Sequence, residues 1–177
     1  MSMFGLHHIR GSLISLRLGW AVMALALLSS CSGQPILGLG DKATSFEVKS
    51  LIGGSFVFRP PLSGSPHILY FWADWCPRCE DDFRLMEKLY QRLQTEPHAP
   101  RFLAIDVGQS EEHVQNFVKR MKISFPVYMD HDGKVARSYG VKGLPTYFLI
   151  DGQGSIKHII LGWADEKTLL GEIGKMR

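Results

Sequence analysis

Two kinds of apolar pattern alternate along the chain from Ser45 onward. Short, nearly unbroken runs (HILYFWA from His67, RFLAIDVG from Arg101, FPVYMD from Phe125) have the length and residue types of strands buried on both faces. Between them lie stripes at helical spacing. Phe83, Met86, Leu89, Tyr90 and Leu93 predict a helix that begins near Pro77 and ends at about Leu93. Val114, Phe117, Val118 and Met121 predict a second, within EEHVQNFVKRM. FEVKSL and SFVF flank Gly53 and Gly54 and read as a hairpin, while RPPLSGSP reads as a loop. After the turn DHDG, a short helix over residues 134–139 leads through GVKGLP to the strand TYFLID. DGQG then joins that strand to SIKHIIL in an antiparallel hairpin, and ADEKTLLGEIGKMR predicts a closing helix that Gly171 and Gly174 weaken. Strands alternating with helices, followed by a hairpin and a last helix, imply an α/β sandwich around a mixed sheet.

The first part of the chain carries a different pattern. Arg10 and Arg17 precede the apolar run LGWAVMALALL, which is short for a membrane span and stops at small residues, as a targeting segment does. The following LSSC, ending at Cys31, resembles the bacterial lipobox, which implies cleavage before Cys31 and lipidation of that cysteine. The domain expectation is a lipoprotein signal peptide over residues 1–30, a flexible tether over 31–44 rich in Gly and turn residues, and a folded domain over 45–177. An uncleaved signal anchor with an incidental cysteine is the alternative. The lipobox reading places the domain outside the cytoplasm, where disulfides persist.

Composition narrows the function classes. The chain has 177 residues, room for one ordinary domain and an appendage, and is 45% hydrophobic, enough for a core. Its formal charge of +3 falls to +1 once Arg10 and Arg17 leave with a leader. No clustered basic face is present, so nucleic acid is not an expected partner.

Candidate chemistry concentrates in FWADWCPRCEDD, residues 71–82. With Cys76 at a strand end and a helix start, free backbone N–H groups favour a negative charge on the first sulfur, and Pro77 suits the first helical position. Cys79 lies one turn on, on the same face. That order makes Cys76 the exposed attacker and Cys79 the shielded resolver of a mixed disulfide. Arg78 favours thiolate, whereas Glu80, Asp81 and Asp82 oppose it, so these charges leave the net sign open. A purely structural disulfide would close too short a loop to stabilise much. Zinc needs further ligands at ligand spacing, and the histidines are scattered. Copper on two thiolates and an imidazole stays open.

FWADWCPRC, GLPTYFLID and the closing hairpin with Gly162 together resemble the thioredoxin fold, specifically the TlpA/ResA/CcmG type of membrane-anchored periplasmic thiol-disulfide oxidoreductase. The likeness covers about residues 38–177. Pro145 matches the family's cis-proline, which lies against the disulfide, and Leu144 matches the residue whose backbone meets a bound substrate chain. EEHVQNFVKRM with FPVYMD resembles the insertion that sets this subgroup apart. The resemblance implies a thioredoxin-like α/β fold, a central mixed β-sheet flanked by helices, with a TlpA-type helix-strand insertion. Two departures stand out. Tyr70 occupies the place of thioredoxin's buried Asp, and Asp82 with Arg84 replaces the family's usual Glu followed two residues later by Pro. Asp82 is either a proton acceptor for the pair or a solvated acid at a helix start.

The activity implied is exchange of electrons, outside the cytoplasm, between the Cys76–Cys79 pair and cysteines of partner proteins, expected in the reducing direction of cytochrome c maturation. The alternatives are a disulfide oxidant or isomerase, which the basic Arg78 permits, and a non-catalytic copper-binding assembly factor. Trp75, Leu144 and Pro145 are the expected substrate rim, with Trp72 either part of it or plain core. Pro77, Arg78 and Asp82 are the expected modulators. No cofactor beyond the cysteine pair and no metal is expected. Apocytochrome c is the candidate substrate and a membrane protein of the DsbD or CcdA kind the candidate electron donor, with membrane attachment through lipid.

Overall fold

A computed structural model of the chain describes residues 36–60, 64–76 and 78–176. The expected signal peptide, Cys31 and Pro77 therefore lie outside the described residues. No described helix is long and apolar enough to cross a membrane.

Among the described residues, seven strands form one sheet. β1 (Phe46–Ser50) and β2 (Ser55–Phe58) make the first hairpin, whose turn places Gly53 and Gly54 at positive φ. β3 (His67–Trp72), β4 (Arg101–Val107) and β5 (Val127–Asp130) run parallel, and β6 (Thr146–Ile150) and β7 (Ile156–Leu161) form the closing hairpin. The order across the sheet is β2-β1-β5-β4-β3-β6-β7, with β1 antiparallel to β5 and β6 antiparallel to β3. The described helices are α1 (Cys79–Leu93), α2 (Glu111–Met121), the short α3 (Lys134–Ser138) and α4 (Glu166–Gly174).

The unbroken hydrophobicity of β3 is explained by its place near the middle of the sheet, where every residue is buried. Ile68, Tyr70 and Trp72 face a core shared with α1, α2 and α4. Leu69 and Phe71 face the other core, with Phe148, Tyr139 and Val135. Phe83, the first large apolar residue of α1, packs between the two layers: its ring lies 4.3 Å from Trp72, 5.0 Å from Phe117 and 5.5 Å from Tyr70. Strand β3, α1 and α2 are thus locked together directly below the end of β3, where the cysteine loop begins.

Two expectations need correction. Helix α1 starts at Cys79, with Arg78 as its cap, two residues later than a first helical position at Pro77. The Cys79 amide bonds to the Cys76 carbonyl at 3.0 Å in a tighter i→i+3 turn, and regular helical spacing starts only where the Asp82 amide meets the Arg78 carbonyl. The folded unit also begins earlier than Ser45. Gly40 donates to the Ile156 carbonyl, Ala43 to the Gly154 carbonyl, and Ile156 back to the Asp41 carbonyl, so this part of the expected tether lies on the β6–β7 hairpin. The Tyr139 hydroxyl fixes it further by donating to the Thr44 carbonyl at 2.7 Å. The Gly40, Ala43 and Ile156 contacts are backbone bonds, which need no periodic side-chain pattern.

Truncating Phe83 should be costly because it opens a cavity between three elements at once. Phe83→Ala is expected to destabilise the domain by about 3–5 kcal/mol, measured as a lower urea midpoint at unchanged m-value.

Candidate active site

The cysteine loop is built by chain geometry on both sides. Strand β3 ends at Trp72, the Cys76 amide donates to the Ala73 carbonyl at 3.3 Å, and Cys79 then opens α1. Cys76 consequently stands one turn ahead of the helix instead of within its first residues. The acids Glu80, Asp81 and Asp82 in the first turn and Arg92 in the last complement the helix dipole. Both cysteines are free thiols, Cys76 6% exposed and Cys79 fully buried, so the expected attacker is less open than its role suggested.

From the other side comes the loop before β6. The Leu144–Pro145 peptide is cis, and the Cys76 sulfur lies 3.7 Å from the Leu144 carbonyl, as a donor to it. Leu144 is half-buried and Pro145 buried. The Pro145 carbonyl accepts from the Gly162 amide at 2.8 Å, which ties the loop to the far end of β7. Around this point the surface is apolar: Trp75 is 67% exposed, Leu161 64% and Trp163 48%. Trp163 also lines a hollow of about 660 Å³ with Arg78, Asp81, Leu85 and Glu166. Trp72, by contrast, is fully buried between Phe83 and Phe117 and belongs to the core.

Beneath the sulfurs the site is sealed and polar. Asp82 is fully buried, so the solvated-acid alternative does not hold. Its Oδ2 accepts a 2.6 Å hydrogen bond from the Tyr147 hydroxyl, while its Oδ1 has no partner among the described residues. Burial pushes the Asp82 carboxyl up to about 6, Tyr147 opposing the rise. The Cys79 thiol is raised well above the ordinary range, first by burial, then by its hydrogen bond to Cys76 and the charges of Cys76 and Asp82. Arg78 is exposed. Glu80 pairs with Arg120 of α2 at 3.1 Å in an open, weakly stabilising bridge.

Beside the loop lies a second polar group that the sequence did not single out. Asp74, two residues before Cys76, donates its amide to the Gln109 side-chain carbonyl at 3.0 Å and accepts from the Gln109 amide group at 2.5 Å. Its other carboxylate oxygen meets His113 of α2. The Gln109 backbone amide in turn donates to Asp106 Oδ1 at 3.2 Å. Asp106 is fully buried, its Oδ2 unpartnered, and its carboxyl is pushed up to about 7, chiefly by burial. The expected insertion helix is therefore tied by side chains to the cysteine loop. No described group of three or more His, Cys, Asp or Glu is arranged to hold a metal ion.

A cysteine pair at the head of a helix, one sulfur against a cis-proline loop and the other sealed beneath it on a mixed sheet, defines a thioredoxin-like thiol-disulfide oxidoreductase. The chain belongs to the AhpC/TSA family, whose model matches residues 39–159. It is 31% identical over 170 residues to thiol-disulfide oxidoreductase ResA of Bacillus thuringiensis (strain Al Hakam), covering 90% of this chain and 96% of that one. It is 38% identical over 126 residues to ResA of Geobacillus thermodenitrificans (strain NG80-2), covering 71% of each. A solved structure described as thiol:disulfide interchange protein DsbE of Chlorobium tepidum superposes with a TM-score of 0.72 at 29% identity, covering 79% of this chain and 98% of that one. The class of enzyme is that of ResA and DsbE, working through its own cysteine pair on protein thiols and disulfides.

The elevation of Asp106 has a consequence for stability. A carboxyl whose folded pKa exceeds its ordinary 3.8 penalises folding only when ionised, so the penalty is absent below 3.8, grows as pH rises and is full above about 7. Asp106→Asn keeps an oxygen for the Gln109 amide and cannot ionise. It is expected to raise the melting temperature at about pH 8 and to lose that advantage as pH falls toward about 4, read by thermal unfolding across pH. A gap independent of pH would contradict the assignment.

Proposed function

We propose that this chain is a lipid-anchored reductant working outside the cytoplasm, in which Cys76 attacks a partner's disulfide and Cys79 releases the product. The asymmetry of the two sulfurs carries this reading. Cys76 lies at the Leu144 carbonyl, beside exposed Trp75, whereas Cys79 is sealed next to a buried acid. The Cys76 thiolate attacks one sulfur of the substrate disulfide; a mixed disulfide forms and the substrate's other sulfur leaves as thiolate. The Cys79 thiol passes its proton to the Asp82 carboxylate and attacks the Cys76 sulfur, and the second substrate sulfur leaves. Two electrons have moved to the substrate and the pair has become a disulfide. Leu144, Pro145 and Trp75 form the rim against which the partner's backbone lies.

The reducing direction is supported by charge. An oxidant such as DsbA owes its strength to a stabilised reduced form. Here Glu80, Asp81 and Asp82 occupy the first turn of the helix, and burial together with the Asp82 charge keeps Cys79 as a neutral thiol, which disfavours thiolate. Cleavage of residues 1–30, lipid on Cys31 and a tether shortened to the residues before the docked Gly40–Ala43 stretch complete the reading. A cytochrome c apoprotein, with its C-x-x-C-H motif, fits as substrate. A membrane dithiol protein of the DsbD or CcdA kind fits as donor, restoring the pair to dithiol.

Trapping tests this directly. Cys79→Ser is expected to accumulate a reductant-sensitive adduct with a C-x-x-C-H peptide disulfide, and Cys76→Ser is expected to form none and to lose reductase activity on insulin. Wild-type protein that holds near-stoichiometric copper and leaves insulin disulfides intact would overturn the proposal.

A further inference from the structure

Asp82 does not sit alone beneath Cys79. Tyr70 and Tyr147 are direct cross-strand partners in the antiparallel β3–β6 pair, and their rings stack 4.8 Å apart at 19°. Both are buried, Tyr70 1% exposed and Tyr147 fully enclosed. Both also project to the same side as α1, since the side chains of a strand alternate and a slip of one residue would send Tyr147 into the opposite core. The titratable and charged groups around Asp82 are Tyr147 from β6, Tyr70 from β3, and Cys79, Asp81 and Arg78 from its own helix and cap.

We propose that Tyr147 is a positioning residue for the proton transfer: its hydroxyl holds Asp82 Oδ2, leaving the unpartnered Oδ1 as the lone acceptor for the proton that leaves Cys79, while Tyr70 fixes the Tyr147 ring by stacking. The inference rests on Asp82 being the proton acceptor. A carboxylate with both oxygens accepting hydrogen bonds would be a weaker base and would offer the departing proton fewer open lone-pair sites. One with neither bound would be free to rotate, and burial would hold it protonated. Tyr147 meets both requirements from β6, because a tyrosine spans the gap between sheet and helix and offers a single donor. It keeps its own proton throughout, since burial and the Asp82 charge push its phenol far up. The proton that leaves the Cys79 sulfur therefore rests on Asp82 and returns to Cys79 when a donor dithiol re-reduces the pair.

The test follows the Asp82 carboxyl carbon by NMR across pH in the reduced protein. The wild-type midpoint is expected near about 6. Tyr147→Phe keeps the ring stack and removes the donor, and the midpoint is expected to rise by about one to two pH units, the worth of a hydrogen bond to a charged group. The pH profile of mixed-disulfide resolution should move by the same interval and recover its plateau at high pH, which a merely structural loss would not do. In wild-type protein the Tyr147 ring resonances should inflect at the Asp82 midpoint, a readout that needs no variant to fold. An Asp82 midpoint unmoved in Tyr147→Phe, or a Tyr147 ring blind to that titration, overturns the inference. Asp82→Asn tests the underlying acceptor role by itself: a resolution profile unchanged in that variant overturns the role whatever Tyr147 does.

Discussion

The antiparallel register between β3 and β6 is the constraint on which the site depends. It pairs Phe71 with Thr146 and Tyr70 with Tyr147, so the residues just before Thr146 must meet the loop that follows Trp72. Those residues are Leu144 and Pro145, and the loop is the one that carries Cys76. The same register sets Tyr147 against Asp82. One strand pairing therefore supplies both the carbonyl above the first sulfur and the hydroxyl beneath the second. Because side chains alternate with a period of two, no neighbouring register would keep either contact.

Burial then separates the two sulfurs chemically. Phe83 packs α1 onto β3 and α2, and the burial of Cys79 and Asp82 on the same helix raises both their pKa values. In a dry site Asp82 is the nearby buried base, and because the Cys79 thiol is raised and Asp82 stands at about 6, the proton moves to Asp82 only as the Cys79 sulfur bonds to Cys76. The Asp74–Gln109–His113 contacts fasten the loop from the side of α2, so the helix of the insertion braces the reactive turn as well as lengthening the sheet's connection.

Much of this was legible in the sequence, for physical reasons that differ by element. The unbroken runs HILYFWA and RFLAIDVG announced strands covered on both faces, and the stripe in EEHVQNFVKRM marked α2 at its observed bounds, Glu111–Met121. The juxtaposition of Cys76 with Leu144 and Pro145 followed from the resemblance of two short motifs. The start of α1 falls two residues after Pro77, because the chain makes one tighter turn between Cys76 and Cys79 before regular helical bonding begins. The burial of Asp82 was hidden because an acid in a first helical turn is ordinarily solvated. Tyr147 gave no signal within TYFLID, where any large apolar residue would satisfy the pattern; only pairing across the sheet reveals the hydroxyl's partner. The docking of Gly40–Ala43 rests on backbone bonds and on the Lys42 ammonium at Gln153 and Ser155, neither of which leaves a trace in apolar periodicity.

The proposal that the pair gives electrons to its partners rests on a sealed, neutral Cys79 beside acids in the first turn of α1. The reduction potential of the Cys76–Cys79 couple, measured at neutral pH against a glutathione or dithiothreitol buffer, decides it. A value toward the thioredoxin end of the scale, about −270 mV, is predicted. A value near the strong-oxidant end, about −120 mV, would contradict it.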